Sequence, residues 1–139
     1  MQADDPHNLN RFVMAQAGTW PAALAELRAG QKRSHWMWFV FPQIAGLGHS
    51  AMARTYAIAS LEEARAYLAH PLLGARYREG VAALMTHAGR SAAAIMGDVD
   101  AMKLRSSLTL FAAAGEESAD AALTRFFDGP DPATLDRIG

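Results

Sequence analysis

The sequence predicts an all-α fold, a compact multi-helical single domain, and three observations carry that prediction. About a fifth of the 139 residues are alanine, the best helix former. β-Branched residues are sparse, and no pair of alternating apolar runs flanks a two-residue turn, so no hairpin is signalled. Apolar residues recur at three- and four-residue spacing between glycines and prolines, which is the punctuation of short helices. No repeat, low-complexity tract or linker divides the chain, so residues 1–139 read as one domain.

The helices follow in order. Leu9, Phe12, Val13 and Gln16 give an amphipathic helix stopped by Gly18. Thr19 opens a second, short helix with Pro21 in its first turn, where the missing amide costs nothing, and it runs to Gly30. Ser34 to Phe41 is an apolar run whose length suits a strand or a helix equally, although the composition of the remainder favours a helix. After Pro42 and a glycine loop, Ser50 caps a segment from Ala51 to Ala57. Ser60 and Glu63 form a capping box in which the glutamate reaches back to the serine amide, and the helix runs to about Ala69. His70-Pro71 interrupts, and Leu72, Leu73, Tyr77, Val81, Leu84 and Ala88 continue at helical spacing to Gly89. Ser91 caps a turn ending at Gly97. Asp98 or Asp100 then starts a helix with Met102, Leu104, Leu108, Leu110 and Phe111 on several sides, the mark of a buried helix. Glu116 to Phe127 and Pro132 to Ile138 complete the set.

The fold should be organised around Lys32-Arg-Ser-His-Trp-Met-Trp-Phe-Val-Phe-Pro-Gln43, which holds two of the three tryptophans and two of the six phenylalanines. Each large aromatic buries on the order of 150–250 Å², so Trp36, Trp38 and Phe39 are expected to be covered by the rest of the chain. Polar groups at both ends of this hub mark a candidate ligand site of Lys32, His35, Trp36, Trp38 and Gln43. A lysine could stand over an indole or hold an anion, and a histidine there could serve as acid, base or stacking partner. Lys103, Ser106 and Ser107 share a helix face and could hold phosphate or carboxylate oxygens. His35 and Glu63 are the candidates for a catalytic role. Each residue also has a plain structural reading: a buried histidine with one backbone partner, a solvated lysine, a turn-closing Gln43 amide, hydroxyls bonded back to their own helix, and a Glu63 used up in its capping box.

The totals exclude several classes. A net charge of -1 and the absence of any basic run longer than Lys32-Arg33 argue against nucleic acid. There is no cysteine, so neither a disulfide framework nor a thiolate metal site is available. No zinc signature, phosphate loop or nucleophile elbow occurs, and Gly46-Leu-Gly-His-Ser50 is a chance pattern in a glycine loop; no metal and no cofactor are expected. The N-terminus is acidic with no apolar region behind it, and no apolar run reaches the roughly 18 residues of a membrane span, so a cytoplasmic address without membrane association is expected. The oligomeric state is left open.

The aromatic hub resembles that of the bacterial domain-of-unknown-function family 1810. The likeness extends through Leu9-Asn-Arg-Phe-Val-Met-Ala-Gln16, Tyr56 to Ala64, His70-Pro-Leu-Leu-Gly74, Lys103 to Phe111 and Phe127-Asp-Gly129. The resemblance implies an all-helical fold with a helical aromatic segment at its centre, and no established activity. Some members carry the label calpastatin, which suits an extended inhibitor and not a chain with 51% hydrophobic residues. A fainter likeness, in composition and spacing only, is to YbiA-like proteins that cleave N-glycosidic bonds. The functional expectation is a pocket beside the hub for a small anionic nucleotide-like molecule. The alternatives are an N-glycosidic hydrolase of ADP-ribose-type compounds and a protein-interaction module.

Overall fold

In a computed structural model that describes residues 5–87 and 89–138, the backbone forms ten helices and one isolated bridge. They are α1 (Asn10–Ala17), α2 (Trp20–Ala29), α3 (Met37–Val40), α4 (Ala51–Thr55), α5 (Leu61–Ala69), α6 (Pro71–Met85), α7 (Ala92–Met96), α8 (Asp98–Ala113), α9 (Glu117–Phe126) and α10 (Pro132–Ile138). The expected all-α fold is present, and no helix among the described residues is long and apolar enough to cross a membrane.

Two long helices order the rest. α8 packs against α3, α5, α7, α9 and α10, while α6 packs against α1, α2, α5 and α9. Leu104, Leu108, Leu110 and Phe111 of α8 are fully buried. Met102, expected among them, is instead 72% exposed, because it lies on the one stripe of α8 that no neighbour covers. An aromatic chain runs through the core: Phe41 packs edge-on to Tyr77 at 5.5 Å, Tyr77 lies 4.4 Å from Phe111, and Phe111 lies 5.2 Å from Tyr67. Burial pushes the hydroxyls of Tyr67 and Tyr77 far above their ordinary range, so both stay neutral. Tyr77 is paired with Ser107 at 3.1 Å.

Caps match the serines singled out in the sequence. Ser50, Ser60 and Ser91 accept from the amides of Ala53, Glu63 and Ala94. The reciprocal arm of the capping box differs, for Glu63 Oε1 accepts from the Ala59 amide at 3.2 Å and not from that of Ser60. α4 ends at Thr55, short of Ala57, because the next residues turn extended and Ile58 bridges Ile44 through Ile58 N–H to Gln43 O and Ala45 N–H to Ile58 O. α6 likewise stops at Met85 and not Gly89, while Ala88 lies outside the described residues. His70 does more than interrupt: its Nδ1 accepts from the amides of Leu72 and Leu73 and caps α6 ahead of Pro71. At that corner α6 passes directly beneath α5, since a Cβ on Gly74 would collide with the carbonyl of Leu68.

The hub is central but barely helical. Only Met37–Val40 makes a helical turn, and the chain before it is an irregular bend that Glu26 of α2 captures. The Glu26 carboxylate accepts from the amides of Arg33 and Ser34, from the Ser34 hydroxyl and from the Trp36 indole at 2.5–3.0 Å. Backbone groups that a longer helix would have satisfied are thus met by one side chain. Gln16 does the same at the other end, where its amide nitrogen donates to Phe39 O at 2.7 Å.

Candidate functional site

A cleft of about 350 Å³ opens between the hub and the first turns of α8, lined by Lys32, His35, Trp38, Asp98, Asp100 and Lys103 among others. Its walls are brought together by backbone. Lys32 N–H donates to Ile95 O at 2.8 Å, which fixes the start of the hub against α7. Gly97, at φ +88°, then turns the chain into α8, a backbone conformation that L side chains rarely adopt. Within the first turn of α8, Asp100 faces Lys32.

The cleft holds two lysines, each over an indole of the hub, and one carboxylate between them. Lys32 Nζ lies 4.9 Å from the Trp36 ring, donates to Ser34 O at 2.5 Å and pairs with Asp100 Oδ2 at 2.8 Å. Lys103 Nζ lies 5.2 Å from the Trp38 ring and 3.8 Å from Asp100 Oδ1, beyond hydrogen-bonding distance. Asp100 is thus committed to Lys32, and the Lys103 ammonium keeps donor capacity for something else. Asp98 stands exposed at the first position of α8, where the helix amides favour its negative charge.

A second cleft, of about 360 Å³, adjoins the first. It is lined by Gln43, Leu47, Met102, Ser106 and Asp131 among others, and shares Val99 and Lys103 with its neighbour. Ser106 Oγ lies 3.2 Å from both Met102 O and Asp131 Oδ2.

The residues singled out in the sequence separate accordingly. Lys32, His35, Trp38 and Lys103 meet in the first cleft, and Gln43, Lys103 and Ser106 in the second. His35 is exposed at the cleft, not buried with a backbone partner. Trp38 is half-buried, where full cover was expected, because its ring forms the cleft wall. Trp36 and Ser107 are fully buried, the first bonded to Glu26 and the second to Tyr77. Glu63 does not line the first cleft; it pairs with Arg11 at 2.8 Å. The Gln43 carbonyl accepts from the Ile58 amide in the bridge, and its side-chain amide lines the second cleft instead of closing the turn after Pro42.

Four residues escaped the sequence reading. Asp98 and Asp100 were seen only as a helix start, yet both line the cleft. Glu26 and Gln16 looked like ordinary helix positions, and only Glu26 had a trace of a signal, as an acid six residues before the polar run Lys32-Arg33-Ser34. The buried hydrogen bonds of Gln16, to Phe39 and Tyr67 and from Arg76, join residues far apart in sequence.

The protein family of unknown function DUF1810 matches this chain over residues 6–138. The chain belongs to that family. A crystal structure of the conserved hypothetical protein Rv1873 from Mycobacterium tuberculosis is similar throughout, at 48% sequence identity and a TM-score of 0.94, with 96% of this chain and 98% of that one covered. No curated protein matches the sequence. The hub, the His70-Pro71 corner and α8 all lie within the matched span.

Proposed function

We propose that the cleft beside the hub binds a small nucleotide-like ligand, with the heterocycle against Trp38 and an anionic oxygen on Lys103. The observation that carries this reading is the Lys103 ammonium, held over the Trp38 ring and left unsaturated by Asp100. The cleft as a whole is not strongly positive, because Asp98 and Asp100 face the two lysines. That balance suits a ligand with few charges and several hydroxyls, for which Asp98 is an acceptor. The volume falls within the 300–1,000 Å³ range usual for small-molecule sites.

Binding is favoured over N-glycosidic cleavage in this reading. Glu63 is spent on Arg11 and the Ala59 amide, and Asp100 on Lys32, so neither is poised as a general acid or base. A thermal-shift screen against mononucleotides, NAD-derived compounds and sugar phosphates tests the proposal. A ligand at 100 times its Kd stabilises by about 2.7 kcal/mol, which raises Tm by about 9 °C for a chain of this size. Lys103→Met is expected to abolish the shift while leaving the unliganded Tm within about 2 °C of the parent. A panel without any shift would overturn the proposal in favour of a protein partner, for which exposed Val99 and Met102 offer the contact surface.

A further inference from the structure

We infer that the ligand is bipartite: two ring-bearing halves joined by an anionic linker of the pyrophosphate kind, one half in each cleft and the linker on Lys103. This rests on the nucleotide reading above and deepens it.

The two clefts are nearly equal, at about 350 and 360 Å³, and both include Val99 and Lys103 in their walls. These two residues are one helical turn apart on α8, so they form a single ridge with a cleft on either side. Neither residue blocks passage over the ridge. Val99 is 67% exposed, and the Lys103 stem ends in an ammonium that no hydrogen bond to Asp100 pins down. The ridge therefore offers an apolar contact and a cation at the place where a linker must cross.

The contents of the clefts differ in a way that suits two unlike halves. The first has an indole, the exposed imidazole of His35 and the carboxylate of Asp98. The second has the Gln43 amide, which can both donate and accept, together with the apolar surface of Leu47 and Met102. Ser106 and Asp131 lie on its floor, already bonded to each other and to Thr134. A flat ring read by one amide and packed on leucine and methionine is the kind of group that fits there, while Arg105, the other cation in its wall, already donates to the carbonyls of Gly129 and Pro130.

The test compares adenosine 5′-monophosphate with diadenosine diphosphate, two adenosines joined through a pyrophosphate, by isothermal titration of the whole chain. The dinucleotide is expected to bind at least tenfold more tightly. Ala133→Trp, at an exposed position lining the second cleft, is expected to bring the dinucleotide to the affinity of the mononucleotide while leaving the mononucleotide unchanged. Gln43→Leu serves as a second variant with the same expected direction, should the tryptophan disturb folding. If the mononucleotide binds and the dinucleotide is no tighter, or if its advantage survives both variants, the bipartite inference is overturned and the single-cleft reading stands. If neither probe binds, both are overturned together.

Discussion

Lys32 and Lys103 occupy nearly the same chemical setting and have opposite fates. Each stands over a tryptophan of the hub, and each faces an oxygen of Asp100. Lys32 is 7% exposed at its side chain, bonded to a backbone carbonyl and paired at 2.8 Å; Lys103 is 27% exposed and 3.8 Å from its carboxylate. Their indoles repeat the contrast, for Trp36 is fully buried with its N–H on Glu26, while Trp38 forms a cleft wall. The difference teaches that residue type and proximity do not decide between structure and site. What decides is hydrogen-bonding capacity left over once the fold has taken its share.

Substitutions along the two pairs sharpen this contrast. Trp36→Ala is expected to cost about 4 kcal/mol, the size of effect seen on emptying an aromatic position in a core, and Trp38→Ala at most about half as much, since part of that ring already faces water. Urea unfolding followed by circular dichroism gives both values, and equal losses would break the comparison. The lysines come next in size. Lys32→Met strands a largely buried carboxylate and a backbone acceptor and is expected to cost about 2 kcal/mol, against about 0.5 kcal/mol for Lys103→Met, a half-buried and loosely paired cation.

The remaining prediction concerns pH and the anchor beneath the tied-down pair. Burial pushes the Glu26 carboxyl up, but the Ser34 hydroxyl, the amides of Arg33 and Ser34 and the Trp36 indole together outweigh it and bring it from 4.5 to about 2. A carboxyl lowered by folding contributes stability that is complete above pH 4.5 and is lost as pH falls from there toward 2. Wild type should therefore lose stability across that window more steeply than Glu26→Gln, by denaturant titration at a series of pH values. Parallel profiles would show that the carboxylate is not what holds the hub.

Much of the fold was legible because its signals are local. Ser50, Ser60 and Ser91 each act on an amide three residues on, and the spacing of Leu104, Leu108 and Phe111 declares a buried helix without reference to anything else. The hub was read correctly as the centre and incorrectly as a full helix. Its backbone is held by Glu26 and Gln16, and neither contact leaves a periodic trace. The site was half legible for the same reason. Lysine, histidine and tryptophan stand out by type, whereas Asp98 and Asp100 look like any acids at a helix start until the turn at Gly97 brings them to the cleft. Ser107 illustrates the converse, a hydroxyl on a promising helix face that Tyr77 had already claimed.

The close pass at Gly74 makes α6 behave as a lever. The helix is pinned where it slips beneath Leu68, and its far end, about 16 Å along the axis, carries His87, whose ring nitrogen donates to the carbonyls of Leu27 and Arg28. Gly80, midway, lies against Phe41, Leu27 and Trp20. Even one methyl group at position 74 would force the rod to tilt, and the displacement would grow toward the end that grips α2, the helix from which Glu26 holds the hub. The absence of a single side chain at the corner thus fixes, at a distance, the height at which the aromatic segment sits beside α8.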